Sequence, residues 1–433
     1  MSTQSQSGYI RLEKNLTLLA WLHQWLGYQN TSEILTDLSE AKEGFDGEGH
    51  SYIFNRLIAR SCFDPNKRLE LEKYDGHIRV VLQEMNIGRV EPITLRYFQY
   101  LAALYTEIYL DYRWNQPDSF LSSLNELVLK RELYSSCRFA LSDLDKIAFW
   151  MATGSGKTLL FHLNFRQFIH YNHESLDNII LITPNERLSE QHLVDMRESN
   201  ISCCRFKPDG HPIIDEHTIQ VTEITKLVME KRGKGESVPV DAFEGNNLIF
   251  VDEGHKGSGG RAWRDVRTAI GMTGFTFEYS ATFGQALSAA RNRNLTAEYG
   301  KAIIFDYSYG HFYKDGYGKD FNIFNLLRDP GGHRDILLLA SLLTFHEQQS
   351  VFQDQPNSIR LYNIQKPLWA LVGGSVNAIY SERSHKRSDV LEVVCFLHRF
   401  LSDRKWAVEN LKNILLGQSG FQSEGKDLFE GKV

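Results

Sequence analysis

The chain has 433 residues, a hydrophobic fraction of 42%, a charged fraction of 24% and a net charge of −6. This composition is ordinary for a globular protein of two or three domains. No apolar run reaches the roughly 18 residues that a membrane span needs, and the polar N-terminus has no signal-peptide core. The five cysteines show no metal spacing, so we expect a reducing, cytoplasmic setting. The acidic balance still leaves room for a local basic groove that binds nucleic acid.

Residues 9–86 are predicted to be mainly helical. Leucines recur there at steps of three and four, the spacing of one helix face; they are Leu12, Leu16, Leu19, Leu22 and Leu26. A helical packing module is the preferred interpretation. The glycine-rich acidic loop at residues 43–50 has oxygen ligands for a metal, but a solvated turn is the better interpretation. Residues 95–112 are predicted to form a long amphipathic helix.

Residues 151–158 read MATGSGKT and lie between an apolar segment and the apolar start of a helix. Strand, glycine turn and helix together are the setting of a phosphate-binding loop. Gly154 and Gly156 let backbone N–H groups turn towards phosphate oxygens, and the helix start adds positive potential. Lys157 can reach the β- and γ-phosphates, and the Thr158 hydroxyl can ligate Mg²⁺. The usual first glycine is Met151 here, so a chance glycine turn remains an alternative for this segment alone.

Downstream of this loop, short apolar strands alternate with helices. The predicted strands cover residues 179–183, 218–221, 248–251 and 277–280. Such alternation implies a parallel sheet with helices on both faces. A further strand at residues 366–372 and a helix at residues 389–401 resemble the opening of a second α/β domain.

The predicted strand at residues 248–251 is followed by Asp252 and Glu253. It delivers two carboxylates to the carboxyl edge of the sheet, where nucleotides bind in such folds. Asp252 can hold Mg²⁺ through its water shell, and Glu253 can polarise the water that attacks the γ-phosphate. An ordinary strand-to-helix turn with an acidic cap is the alternative for this segment by itself. The presence of both segments favours a nucleotide site.

At this point a resemblance to a known family becomes visible. MATGSGKT, DEGH at residues 252–255 and SAT at residues 280–282 resemble motifs I, II and III of superfamily 2 helicases and translocases. LRYFQ at residues 95–99 resembles the element that reads adenine. Residues 182–188 and 221–227 resemble the strand-contacting motifs, and residues 371–376 resemble motif IV. Over roughly residues 90–400, the chain resembles in particular the Res subunits of type III restriction enzymes and related bacterial DEAD/DEAH-type defence helicases.

The resemblance implies an α/β fold of the P-loop NTPase class, built on a RecA-like parallel sheet with helices on both faces. It divides the chain into a helical N-terminal region, a first RecA-like domain with the ATP site, and a partial second RecA-like domain. The expected boundaries are residues 1–94, 95–312 and 313–433.

The resemblance also implies a set of site residues. Lys157, Asp252 and Glu253 are expected to be catalytic. ATP is expected to contact Gln99, Thr153, Gly154, Ser155, Gly156, Lys157 and Thr158, and Mg²⁺ is expected to be held by Thr158 and Asp252. Coupling to strand movement is assigned to His255, Ser280 and Thr282, and backbone contacts with nucleic acid to Thr183, Arg187 and Thr222. Strand-edge packing or a helix cap remains the alternative for the threonines, and a plain helix start for His255.

The expected function is that of an ATP-dependent DNA helicase or translocase in restriction or anti-phage defence, with DNA favoured over RNA. No Gln/Arg-rich motif VI, which supplies the arginine finger in this superfamily, and no nuclease signature follow residue 376. We therefore expect weak ATP hydrolysis by the chain alone and a partner chain that supplies the rest of the second motor domain, a nuclease or a methyltransferase. The alternative is a non-catalytic nucleotide-binding subunit or fragment that needs a partner.

Overall fold

The computed structural model describes most of the chain, and its described residues fall into two compact units. The described residues are 12–60, 63–133, 135–207, 217–228, 238–253, 270, 274–318, 334–360, 366–372, 379–381, 384–386, 388–419, 422–423 and 426–427. The first unit, Met1–Lys319, is called the sheet unit below, and the second, Asp320–Val433, the C-terminal unit. None of the helices in the described ranges is long and apolar enough to cross a membrane.

The sheet unit combines eleven described α-helices with nine strands. The helices are α1 (Thr17–Trp25), α2 (Thr31–Leu38), α3 (Tyr52–Ile58), α4 (Pro65–Met85), α5 (Tyr97–Asn115), α6 (Pro117–Lys130), α7 (Lys157–Tyr171), α8 (Glu186–Glu198), α9 (Phe283–Ala290), α10 (Arg293–Ala302) and α11 (Tyr309–Lys314). The strands are β1 (Lys146–Met151), β2 (Asn178–Thr183), β3 (Cys203–Arg205), β4 (Ile219–Glu223), β5 (Leu227–Val228), β6 (Val238–Pro239), β7 (Asn247–Asp252), β8 (Gly274–Ser280) and β9 (Ile303–Tyr307).

Seven of these strands form one parallel sheet in the order β3-β4-β2-β7-β8-β1-β9. The α/β class and the parallel sheet predicted from the sequence are therefore confirmed, and the four predicted strands correspond to β2, β4, β7 and β8. Strands β3 and β9 were not predicted. The first is only three residues long, and the second follows a helix directly with no turn residue between them.

Alternation along the strands divides the buried residues between the two faces of the sheet. Ile179 and Leu181 join the large core, whereas Ile180 and Ile182 join a smaller cluster on the opposite face. Residues of one strand that are two apart share a face, so a strand buried on both sides reads as a continuous apolar run. This explains why the sequence shows uninterrupted isoleucine and leucine at this position.

The N-terminal helices pack into the large core of the sheet unit. The five leucines of the predicted helix face, Leu12, Leu16, Leu19, Leu22 and Leu26, are all buried there. Trp25 Nε1 donates to Tyr112 Oη of α5 at 3.0 Å, and Trp21 Nε1 donates to Ser123 Oγ of α6 at 2.9 Å. The predicted boundary at residue 94 stays a prediction, since helices on both sides of it share this core.

The acidic loop at residues 43–50 is a hydrogen-bonded turn. The Asp46 carboxylate accepts backbone N–H groups of Glu48 and His50 at 2.9 and 3.0 Å, and it also accepts the Asn55 side-chain amide at 2.7 Å. These bonds use the carboxylate to close the turn, in agreement with the solvated-turn interpretation.

The C-terminal unit has a small core. Its described helices are α12 (Arg334–Asp354), α13 (Pro356–Arg360), α14 (Asp389–Ser402) and α15 (Arg404–Leu415), with short antiparallel pairs Ile379–Ser381 with Ser384–Lys386 and Gln422–Ser423 with Lys426–Asp427. The helix predicted at residues 389–401 is confirmed. The strand predicted at residues 366–372 is wrong: these residues have no regular secondary structure, and Val372 is 97% exposed. An apolar run forms a buried strand only beside a partner strand, and none pairs with it among the described residues. The following motif IV residues, 373–376, lie outside the described residues.

Candidate nucleotide site

The phosphate loop connects a central strand to a buried helix. Strand β1 lies between β8 and β9 and ends at Met151, and α7 begins at Lys157. Gly156 has φ +91°, and a Cβ atom there would lie 2.3 Å from Gln99 Nε2. Any other residue would meet backbone strain at this φ and would displace the Gln99 amide, so the loop favours glycine at this position.

Two polar side chains fix the shape of this loop. Ser155 Oγ donates to the carbonyl of Ala152 at 2.7 Å, within the loop itself. Gln99 Nε2 donates to the Ser155 carbonyl at 3.0 Å, while Gln99 Oε1 accepts the backbone N–H of Arg96 at 3.0 Å. Gln99 thus ties the start of α5 to the loop, and its role in reading adenine stays a prediction.

Lys157 lies at the base of the loop. Its ammonium is 3.4 Å from the Met151 carbonyl oxygen and 3.5 Å from that of Ala152. Burial lowers the pKa of Lys157, against the attraction of Glu253 and Asp252. An ammonium held by weak carbonyl contacts and short of water is well placed to exchange them for phosphate oxygens. Of the other predicted loop contacts, Thr153 and Gly154 are exposed and Thr158 is half-buried.

The two carboxylates of the second motif stand on the same edge of the sheet as the loop. Asp252, the last residue of β7, pairs in register with Tyr279 of β8, which pairs with Phe149 of β1. Glu253 follows with φ +57°, in the left-handed region that a non-glycine residue enters at a cost of roughly 1–3 kcal/mol. Strained backbone of this kind is typical of functional sites, where the surrounding structure holds it in place.

Sequence reasoning missed the residue that contacts Asp252. His192, on α8, places its Nε2 3.2 Å from Asp252 Oδ2, and only 6% of the histidine is exposed. Nothing in the sequence pointed to this pair, because Asp252 lies about sixty residues further along the chain.

The third motif is attached to the phosphate-loop strand. Trp150 Nε1 donates to the Ala281 carbonyl at 3.1 Å, and a Cβ on Gly284 would lie 2.5 Å from the Trp150 ring. Ser280 Oγ accepts the Thr282 backbone N–H at 3.1 Å. The indole of Trp150 therefore joins the strand that leads into motif I to motif III, and sequence reasoning did not identify this contact. The third predicted coupling residue, His255, lies outside the described residues.

The predicted nucleic-acid contacts differ sharply in exposure. Thr183 and Thr222 are 0% and 3% exposed, whereas Arg187 is exposed at the start of α8. Thr183 Oγ1 lies 2.7 Å from Ser189 Oγ, which donates to Glu223 Oε1 at 2.9 Å. Of the three predicted contacts, only the arginine presents its side chain to solvent.

Glu223 is the centre of this buried network. It is 2% exposed and pairs with Arg205 and Lys226, each at 2.6 Å. Burial would raise the pKa of Glu223, but hydrogen bonds from Lys226, Ser189 and Arg205 outweigh it and hold the pKa below its usual value. The network therefore ties the carboxyl ends of β2 and β4 to β3, on which Arg205 lies.

An aromatic cluster stands beside the phosphate loop. The Phe312 ring, on α11, lies 3.8 Å from the position of a Cβ on Gly154. Phe98 and Tyr307 stack with ring centroids 4.0 Å apart, and Tyr307 donates to Asp315 at 2.6 Å. A cavity of about 390 Å³ opens next to this cluster. Its lining includes Tyr97, His311, Lys314, Asp315 and Tyr317.

A glycine loop before a helix, with a lysine and a strand-end carboxylate on one sheet edge, defines the P-loop NTPase class. The comparisons with known proteins narrow this class. The family model described as "Type III restriction enzyme, res subunit" matches residues 113–285. Over this stretch the chain is similar to the Res subunits of type III restriction enzymes, which confirms the resemblance found in the motifs.

Solved helicase structures are similar to parts of the chain. The UvsW helicase from bacteriophage T4 is 16% identical over 40% of this chain and 59% of that chain, with a TM-score of 0.27. A second structure of T4 UvsW is 14% identical, with coverages of 48% and 42% and a TM-score of 0.28. The Hef helicase domain from Pyrococcus furiosus is 12% identical, with coverages of 64% and 53% and a TM-score of 0.22. The chain spans about half the length of these structures. No curated protein matches it.

Proposed function

We propose that the sheet unit binds ATP with Mg²⁺ and uses ATP hydrolysis to drive movement along DNA. One observation carries this proposal: Lys157, at the end of the glycine loop, lies close enough to Asp252 and Glu253 at the edge of the parallel sheet to be attracted by both carboxylates. A lysine, two strand-end carboxylates and a phosphate-sized glycine loop are the parts that phosphoryl transfer needs.

The residues at this edge fit ATP and a hard divalent cation. Backbone N–H groups of the loop and the start of α7 face the phosphates, because Gly156 turns the chain into the helix. Oxygen atoms of Thr158 and Asp252 are the ligand type that Mg²⁺ prefers. When bound, Mg²⁺ neutralises charge on the β- and γ-phosphates.

Each catalytic residue has a distinct role in this proposal. Lys157 leaves the carbonyls of Met151 and Ala152 to contact the terminal phosphates. Glu253 orients the attacking water. Its left-handed backbone conformation sets the direction in which the side chain leaves the main chain. Holding groups in place before the reaction lowers the barrier without further reorganisation.

Coupling to the third motif would use Trp150 and Thr282. The indole of Trp150 fixes Ala281 to the phosphate-loop strand. The Thr282 hydroxyl is buried and has no hydrogen-bond partner within the described residues. A buried hydroxyl without a partner costs about 1–3 kcal/mol, so a new partner gained in another state would favour that state. Ser280 and Thr282 are therefore proposed to sense changes at the ATP site.

For nucleic acid, we assign the direct backbone contact to Arg187. Thr183 and Thr222 are assigned a supporting role, since their buried positions keep the strand ends beneath α8 in register. An exposed guanidinium contacts phosphate without reading bases, which suits a motor that moves along any sequence.

The match with a Res-type family model supports a restriction or anti-phage defence setting and DNA as the partner. We expect slow hydrolysis by this chain alone, because no motif VI is recognisable after residue 376, and an arginine finger contributes about 10³–10⁵ in rate in P-loop enzymes. An arginine finger supplied from outside residues 1–433 would then complete the motor.

The test is nucleotide binding and ATP turnover by the purified chain, with and without DNA, beside Lys157→Ala. We expect the wild type to bind ATP in the presence of Mg²⁺ and Lys157→Ala to bind it much more weakly. Turnover by the wild type should be slow, and Lys157→Ala should abolish it.

Three outcomes separate the alternatives. Rapid DNA-stimulated turnover by the chain alone would support the motor and contradict the slow-turnover expectation. Nucleotide binding with no turnover above that of Lys157→Ala, with or without DNA, would favour a non-catalytic nucleotide-binding subunit. A chain that binds no nucleotide would overturn the proposal.

A further inference from the structure

The histidine on α8 stands between the hydrophobic core and the second motif. Phe161 of α7 contacts the His192 ring edge-on at 5.9 Å and the Phe250 ring at 4.6 Å. Phe250 lies two residues before Asp252 on β7, so both side chains point to the same face of the sheet. Packing of the core on this face therefore holds the imidazole against the Asp252 carboxylate.

The contact fixes which ring nitrogen carries a proton. Asp252 Oδ2 lies 3.2 Å from His192 Nε2, and an ionised carboxylate only accepts hydrogen bonds. Nε2 must therefore donate. His192 Nδ1 is buried and has no hydrogen-bond partner within the described part of the chain. A proton on Nδ1 would have no acceptor there, so the geometry assigns the donated proton to Nε2.

Such a bond restricts the rotation of the Asp252 carboxylate by holding its Oδ2 atom. Asp252 has no other hydrogen-bonding side chain within reach in the contacts of the described residues. Without His192, the carboxylate would rotate more freely about its side-chain bonds, and the cation that it helps to hold would lose a fixed ligand direction.

We propose that His192 is a positioning residue that orients Asp252 for the nucleotide-bound divalent cation. The inference rests on the proposed nucleotide site and extends it to a helix outside the phosphate loop and the second motif. Outer hydrogen bonds to metal-site carboxylates contribute about 10–100-fold in metal affinity or activity.

The test uses three substitutions that separate hydrogen bonding from packing. His192→Gln keeps an N–H at the distance of Nε2, so it can still reach Asp252. His192→Asn keeps a nitrogen only at the distance of Nδ1, and His192→Leu fills the space without a donor. Val194→Ala, on the exposed side of the same helix, is the matched control.

The measured quantity is the affinity for Mn²⁺ in the presence of a non-hydrolysable ATP analogue. Electron paramagnetic resonance detects the bound Mn²⁺. We expect His192→Leu and His192→Asn to raise the Mn²⁺ dissociation constant about 10–100-fold. His192→Gln should restore most of the affinity, and Val194→Ala should match the wild type. Analogue binding in EDTA should stay the same for all four variants.

Unchanged Mn²⁺ affinity in His192→Leu would overturn this inference while leaving the nucleotide site intact. Equal losses in His192→Gln and His192→Leu, with lower thermal stability in both, would show a packing role instead. A wild type that binds neither analogue nor Mn²⁺ would overturn the proposed function itself, so the two failures are distinguishable.

Discussion

The sheet unit and the C-terminal unit bury apolar side chains very differently. In the sheet unit, Phe250 and Phe277 are fully buried and stack with centroids 4.9 Å apart, within a core that runs from the N-terminal helices to β9. In the C-terminal unit, the buried cluster consists of Leu339, Ala340, Phe396 and Ile414. Leu368 and Leu401 of that unit are 84% and 80% exposed.

This difference bears on where a site can be built. Glu253 holds a left-handed backbone and Thr282 buries a hydroxyl without a partner among the described residues. Each feature costs free energy, and a dense core stabilises the fold by enough to tolerate it. All the described candidate site residues lie on the sheet unit.

The largest effect is expected from truncating one phenylalanine in each core. Phe277→Ala should destabilise the sheet unit by about 3–5 kcal/mol, because the rigid sheet cannot close the cavity. Phe396→Ala should cost less, about 2 kcal/mol, because a small core relaxes more readily. Hydrogen exchange on the intact chain would follow amides of β7 and β8 against those of α14.

Equal losses of protection in the two variants would contradict this comparison. The conservative variants Phe277→Leu and Phe396→Leu are the controls, because they retain most of the apolar volume. Their losses should be well below those of the alanine variants.

The candidate site illustrates how far local sequence reasoning reaches. The phosphate loop and the strand-end carboxylates could be predicted, since each depends on a few neighbouring residues and on the rule that parallel strands end at one edge. The contacts of Trp150 with Ala281 and of His192 with Asp252 could not, because they join segments that only the folded sheet brings together. The same limit explains the wrong strand at residues 366–372, whose apolar run contacts a helix, through Trp369 and Ser341, and has no partner strand among the described residues.

Acid should weaken the dense sheet unit through its buried histidines. Burial lowers the pKa of His23 to about 4 and, as the largest cause, that of His162 to about 3, from a usual value of 6.5. Below pH 6.5 the unfolded chain binds a proton at each residue and the folded chain does not, so stability falls as pH falls. Between its pKa in the folded chain and pH 6.5, each histidine should lower the free energy of unfolding by about 1.4 kcal/mol for each pH unit of acidification.

The slope can be measured by urea unfolding between about pH 5 and pH 6, where most carboxylates are still ionised. In the wild type, His162 Nδ1 lies 2.8 Å from Ser199 Oγ, and His162→Asn keeps a nitrogen near that hydroxyl. In the same way, His23→Gln keeps a nitrogen near Thr31. Each variant should flatten the pH slope by about 1.4 kcal/mol per unit, whatever its stability at pH 7. An unchanged slope in both variants would show that other groups cause the acid sensitivity.

The smallest effect on stability is expected at the surface of the sheet unit, and it sharpens the distinction between core and site. Arg187→Ala removes an exposed side chain, so unfolding free energy should change by less than about 0.5 kcal/mol. Affinity for DNA should fall, and the slope of log affinity against log salt should become shallower by about 0.9 for one lost phosphate contact.

Thr183→Val should lower stability and leave the salt dependence of DNA binding unchanged, because it removes the hydroxyl beside Ser189 and leaves the surface charge as it is. We expect it to cost about 1 kcal/mol of stability while the salt slope keeps its wild-type value. A shallower salt slope in Thr183→Val would mean that the buried threonine reaches the nucleic acid after all, and that the edge of the sheet opens when DNA binds.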